Sequence, residues 1–163
     1  MKKIRLSVLT AMGLVAASLV TLLSPPAQAQ EVYLVNLTAE WCPNCKILDP
    51  RINEAATRFN DGSIERVELD FTNGDTMAQA YEQVNGTFLA GVFADYAGLT
   101  GLGVLVSADS GEKIDCVNRT MTSDAIEMQI VAAREIVRTT PIGKRETGSI
   151  FCPPANKRVQ AAQ

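Results

Sequence analysis

Apolar residues follow two different rhythms along the chain. Glu31–Thr38 (EVYLVNLT) is a continuous apolar run with β-branched content, too short for a helix and suited to a strand buried on both faces. From Pro43 to about Asn60 the apolar positions Ile47, Leu48, Ile52, Ala55, Ala56 and Phe59 recur at helical spacing. Pro43 is tolerated in the first turn and Pro50 forces a kink. After the stop at Asp61-Gly62-Ser63, Ile64–Asp70 predicts a second strand, parallel to the first because a helix joins the two. Asp75 to about Val84 predicts a short helix with a weak apolar face. Residues 85–100, with Gly86, Gly91 and Gly98, break the pattern; they are expected to form an insertion holding one short helix around Ala90–Tyr96. Gly103–Ser107 and Glu112–Val117 flank Ala108-Asp109-Ser110-Gly111 and predict a hairpin. Thr122 or Ser123 caps a last helix to about Arg138, whose buried face is expected to be Ile126, Ile130, Val131, Ile136 and Val137. The order β-α-β-α-β-β-α predicts a three-layer α/β fold, a mixed sheet of about four strands flanked by helices.

Composition narrows the class of protein. With 163 residues, 47% hydrophobic and 20% charged, one globular domain is expected. The net charge is −3 and its charges are interspersed, so no nucleic-acid partner is expected. The first 29 residues form a pattern of their own. Lys2, Lys3 and Arg5 precede an apolar stretch from Leu6 to Leu23, and Ala27-Gln28-Ala29 is a small-residue cleavage site. Residues 1–29 are therefore expected to be a signal peptide cut after Ala29, with a domain over 30–140 and a tail over 141–163. The alternative is an uncleaved anchor, since an apolar stretch of about 18 residues borders on spanning length. Cleavage leaves an acidic chain of charge −6, periplasmic or secreted and without stable membrane insertion.

The chain has no histidine, which removes Ser-His-Asp and Cys-His catalysis, imidazole zinc sites and Cys-x-x-Cys-His haem attachment. Its four cysteines are Cys42, Cys45, Cys116 and Cys152. Of the three possible pairings, adjacency favours Cys42 with Cys45, leaving Cys116 with Cys152 as a structural staple of the tail. Trp41-Cys42-Pro43-Asn44-Cys45-Lys46 lies where the first strand meets the long helix. Unpaired amides and the helix dipole there favour a thiolate, so Cys42 reads as a nucleophile and Cys45, one turn further in, as the resolving thiol. Half of a four-cysteine zinc site and a structural disulfide share this spacing; the absence of histidine and of a second such motif argues against them. Trp41 is either a docking surface or packing. Arg66 and Glu68 read as a solvated strand face, and Met77, Met121 and Met128 as packing. The tail pairs Lys144-Arg145 and Lys157-Arg158 read as solvated charge. No metal and no organic cofactor is expected.

The stretch Leu34-Val-Asn-Leu-Thr-Ala-Glu-Trp-Cys-Pro-Asn-Cys-Lys46, followed by a kinking Pro50, resembles the thioredoxin family, above all in Ala39-Glu40-Trp41-Cys42. Weaker similarity extends to about Arg138, leaving out the tail and residues 85–100. The resemblance implies a thioredoxin fold and thiol–disulfide exchange at Cys42 and Cys45, and with the signal peptide it points to an exported thiol–disulfide interchange protein. Protein thiols or disulfides are the implied substrates and a redox protein the implied partner, with Trp41 and Pro43 beside the docking site. Three departures stand out. No proline occurs between Arg51 and Thr140, so Leu102 and Gly103 are expected where the family has a substrate-docking cis-proline. Asn36 stands where many members bury an aspartate that accepts the resolving thiol's proton. Pro43-Asn44 matches neither the cytoplasmic reductants nor the strong periplasmic oxidants, which leaves the direction of electron flow open. The rival readings are a binding module with a structural or slowly switching disulfide, and a metal carrier using Cys42 and Cys45.

Overall fold

The structure, a computed structural model, describes residues 29–155; all of the expected signal peptide 1–29 except Ala29, and the pair Lys157-Arg158, lie outside them. Its elements are β1 (Val32–Thr38), α1 (Cys45–Ala56), β2 (Ile64–Asp70), α2 (Gly74–Val84), α3 (Ala90–Tyr96), β3 (Leu102–Ser107), β4 (Lys113–Asn118) and α4 (Ser123–Thr139). One sheet has the order β2-β1-β3-β4, with β1 parallel to β2 and antiparallel to β3. The strands and their mixed pairing match the sequence pattern. The short helix expected around Ala90–Tyr96 forms as α3 and buries Val92 and Tyr96 in the core.

Strand alternation sorts the core into two layers. Val35 and Leu37 face α2 and α3 together with Leu69, Val84, Val92, Tyr96, Val104 and Val106. Val32 and Leu34 face the other way, toward Leu48 and Ile52 of α1 and Ile126, Ile130 and Ala133 of α4. Two helix faces differ from expectation. Ile47 is exposed on α1, and Val131 and Met128 are exposed on α4. Positions 126, 130 and 133 make one stripe at helical spacing; Val131 falls about 100° away from Ile130 and outside it.

A register shift between Leu105 and Val106 makes a bulge in β4, where Ile114 is the extra residue between Asp115 and Lys113. It resets the alternation, so Ile114 and Val117 point to the α1/α4 layer while Cys116 points to the α2/α3 layer. There Cys116 is disulfide-bonded to Cys152, drawing the tail against that layer. Thr147 Oγ1 donates to the Ile114 carbonyl, and Tyr96 Oη donates to the Pro153 carbonyl at 3.2 Å. Arg145 is buried and paired with Asp109, so it is not the solvated tail charge its sequence context predicts. Among the described residues no helix is long and apolar enough to cross a membrane.

Candidate redox site

The carboxyl end of β1 and the amino end of α1 converge on the two cysteines. Cys42 N–H donates to the Ala39 carbonyl at 3.0 Å, closing the turn, and the sulfurs of Cys42 and Cys45 form a disulfide. Asn44, the residue before α1, makes no side-chain cap. The sulfur of Cys42 takes that role, accepting the Cys45 N–H at 3.1 Å. An amide of the first turn is thus aimed at Cys42 Sγ, the arrangement that stabilises a thiolate when the disulfide opens. Cys45 Sγ lies deeper, 3.9 Å from the Leu37 carbonyl. Both residues are almost covered, Cys42 at 2% and Cys45 at 1% exposure.

The rim is built by neighbouring loops. Phe71 N–H donates to the Thr38 carbonyl at 2.8 Å, Glu40 N–H to Thr72 Oγ1 at 2.9 Å, and Trp41 Nε1 to the Thr72 carbonyl at 2.9 Å. These bonds pin the Trp41 ring at the surface, 59% exposed. Across from it stands Gly101 at φ +76°, where a β-carbon would lie 2.6 Å from Asn44 Cβ and 3.5 Å from Cys42 Sγ. Only glycine lets the backbone adopt this turn and press so close to the pair.

Behind the disulfide, β1 carries Asn36 and Thr38 on the face that meets α1. Asn36 Nδ2 donates to Asp49 Oδ1 at 3.0 Å, and Thr38 Oγ1 donates to Asp49 Oδ2 at 2.7 Å. An open cavity of about 500 Å3 is lined by Thr38, Cys45, Asp49, Pro50, Glu68 and Asp70, among others.

Residues 24–87 match the thioredoxin family. That span holds β1, α1, β2 and α2 with both cysteines, and the sheet order and helix layers complete the architecture. The fold is thioredoxin-like. A 42-residue stretch is 31% identical to Thioredoxin H7 of Arabidopsis thaliana, covering 26% of this chain and 33% of that protein. The chain thus spans about a third of that relative. Among solved structures, Trxlp from Edwardsiella tarda EIB202 aligns with a TM-score of 0.43 at 15% identity, over 64% of this chain and 85% of that one. A malarial protein aligns with a TM-score of 0.40 at 10% identity, over 64% and 98% respectively.

In the thioredoxin-like domain the structure brings Trp41, Cys42, Pro43 and Cys45 together at one surface. It does not bring Leu102 and Gly103 there. Leu102 is buried in the α2/α3 layer, and Gly103 sits inside the opposite layer against Val117, Ile52 and Leu34. The backbone that faces the cysteines is Gly101, ahead of β3, and the described residues contain no cis peptide bond. Cys116–Cys152 lies on β4, two strands from β1. Arg66 pairs with Glu68 and Asn53 on the exposed face of β2. Asp49 was not singled out by the sequence pattern; its one signal was its position four residues after Cys45 on the same helix. No cluster of three or more acidic or cysteine side chains suited to a metal ion occurs among the described residues.

Proposed function

We propose that this chain is an exported thiol–disulfide oxidoreductase that exchanges disulfides with protein substrates and is reset by a redox partner protein. The observation that carries the reading is the Cys45 amide donating to Cys42 Sγ at the amino end of α1. Such a setting lowers a thiol pKa from about 8.5 toward 7 or below, so the reduced protein holds Cys42 partly as the attacking thiolate. Attack on a substrate disulfide forms a Cys42–substrate mixed disulfide; Cys45 then attacks Cys42 Sγ, re-forming the observed bond and releasing reduced substrate. The pinned, exposed Trp41 and the adjoining Pro43 supply a docking surface beside the sulfur. Periplasmic or secreted location rests on the charged, apolar and small-residue segments of residues 1–29.

The burial of Cys42 favours a second reading, in which the pair is a structural or slowly switching disulfide of a binding module. Equilibrating the protein in thiol–disulfide buffers of graded potential, then alkylating and mapping free cysteines by mass spectrometry, separates the two. The exchange reading expects a reversible two-electron transition confined to Cys42 and Cys45. Its midpoint gives the direction, reductant if near about −270 mV and oxidant if near about −120 mV. A pair that stays oxidised throughout establishes the second reading instead. Cell fractionation, with a mature amino terminus at Gln30, tests export.

A further inference from the structure

We infer that Asp49 is the proton acceptor for Cys45 when that thiol resolves the mixed disulfide, with Asn36 and Thr38 as its positioning residues. The inference rests on the exchange reading above. A resolving thiol is protonated and buried when its turn comes, and only its thiolate attacks. Cys45 is 1% exposed, so bulk water has poor access to its proton. Asp49 follows it by four residues on the same face of α1, an axial rise of about 6 Å that one bridging water spans. Both residues line the same open cavity.

Two further features point to this carboxylate. Each of its oxygens receives one donor from β1, Asn36 Nδ2 on Oδ1 and Thr38 Oγ1 on Oδ2, which fixes its orientation and leaves each oxygen a second acceptor position. Asn36 is fully buried, and its own Oδ1 has no hydrogen-bond partner among the described residues of the disulfide form. A buried acceptor without a donor is costly. Asn36 lies on β1 next to Leu37, whose carbonyl is 3.9 Å from Cys45 Sγ, which places this unpaired acceptor on the strand beside the resolving cysteine. The other charged groups around the cavity are Glu40 in the β1–α1 loop, Lys46 on α1, and Glu68 and Asp70 on β2. None of these others accepts a hydrogen bond from Asn36 or Thr38 in the structure.

The step balances. Asp49 takes the Cys45 proton, the Cys45 thiolate forms a bond to Cys42 Sγ, the Cys42–substrate S–S bond breaks, and the substrate leaves as a thiolate carrying that electron pair. The two cysteines are oxidised by two electrons, the substrate disulfide is reduced, and the proton passes from Asp49 through the cavity to solvent.

Single-turnover reaction of the full chain, reduced at Cys42 and Cys45, with dithiobis(nitrobenzoate) reads the two steps separately. Attack by Cys42 releases the first coloured thiolate and resolution by Cys45 releases the second. Asp49→Asn is expected to slow the second release tenfold or more near neutral pH, with the gap narrowing as pH rises and hydroxide takes over removal of the proton. Asp49→Glu, which keeps a carboxylate, is expected to recover most of the rate. Folding is followed by the near-ultraviolet signal of the single tryptophan. Should Asp49→Asn not fold, Asp49→Ser is used, and added formate is expected to speed its second release. A second release within twofold of the parent in the folded variant at every pH, or no response of Asp49→Ser to formate, overturns the assignment. The first release does not involve Asp49, so its absence in the parent protein overturns the exchange reading itself and the assignment with it.

Discussion

At Gly103 the chain has no room for a β-carbon. One placed there would lie 2.6 Å from Val117 Cγ2 and 3.1 Å from Ile52 Cδ1, inside the layer that supports α1. Overpacking of this kind costs about 1–3 kcal/mol. Gly103→Ala should therefore lower the unfolding free energy read from urea titration by that amount while leaving the rate of attack by Cys42 unchanged. Gly101→Ala should behave differently. Its positive φ and the approach to Asn44 Cβ combine strain with displacement of the turn between the cysteines, so it is expected to lose stability and to alter the rate of attack as well. Measuring both variants by denaturation and by thiol release checks which glycine belongs to the site. The sequence showed the glycines but not their surroundings, because what a missing β-carbon would touch is set by residues far away in the chain.

Helix ends show how much of an element is written locally. Thr122 caps α4 as the sequence predicts, its Oγ1 accepting the Ala125 N–H at 3.2 Å. Thr122→Ala should cost about 1 kcal/mol of stability in thermal or urea unfolding and Thr122→Ser much less. What the local pattern does not contain is the clamp at the other end. Glu31, ahead of β1, receives Arg134 Nε at 2.6 Å and Arg138 Nε at 2.8 Å from α4. Burial pushes the Glu31 carboxyl upward, but the hydrogen bonds and charges of Arg138 and Arg134 outweigh it, so the group sits below its ordinary value. A carboxyl with a lower pKa in the folded state contributes stability above its unfolded value, and that contribution is lost as pH falls through the folded one. Glu31→Gln is thus expected to lower stability by about 1 kcal/mol at neutral pH. The difference should shrink as the solution is made more acidic than the ordinary glutamate range, which urea titrations of both proteins across acid pH would show.

At the scale of the described molecule, the tail is fastened to β4 by the Cys116–Cys152 disulfide and by Thr147 Oγ1 donating to the Ile114 carbonyl. Cys116–Cys152 ties residues 36 apart in sequence, and closing such a loop is worth about 4 kcal/mol on the chain-entropy model. The double substitution Cys116→Ala/Cys152→Ala should lower stability by up to that amount and leave exchange at Cys42 and Cys45 in place, as read by the two-step thiol release. Loss of exchange with the fold intact would tie the second disulfide to the redox chemistry. Arg145 anchors the start of the tail elsewhere, donating to Ser107 Oγ at the end of β3 at 2.7 Å and to the Thr140 carbonyl after α4 at 2.8 Å. As a basic residue in a tail it reads as solvated, and only the docking of the tail buries it.

The strand runs, the cysteine pair at a strand-to-helix junction, the α4 cap and the mixed sheet were legible in the sequence by itself, because periodicity, capping and motif spacing are properties of neighbouring residues. The tertiary structure alone decided which backbone faces the cysteines and which carboxylate stands behind them. Strand β3 begins at Leu102 in register with Leu37, so Gly103 pairs with Asn36 and points into the core while Gly101 is left outside the strand, against Cys42. The two glycines share a parity along the chain, so what separates them is where the strand starts: a position inside β3 packs under α1, and one just ahead of it meets the loop that carries Cys42. Asp49 shows the same limit on a helix. Its place four residues after Cys45 was visible, but its meeting with Asn36 and Thr38 depends on how α1 packs on β1, a contact between segments that no local pattern encodes.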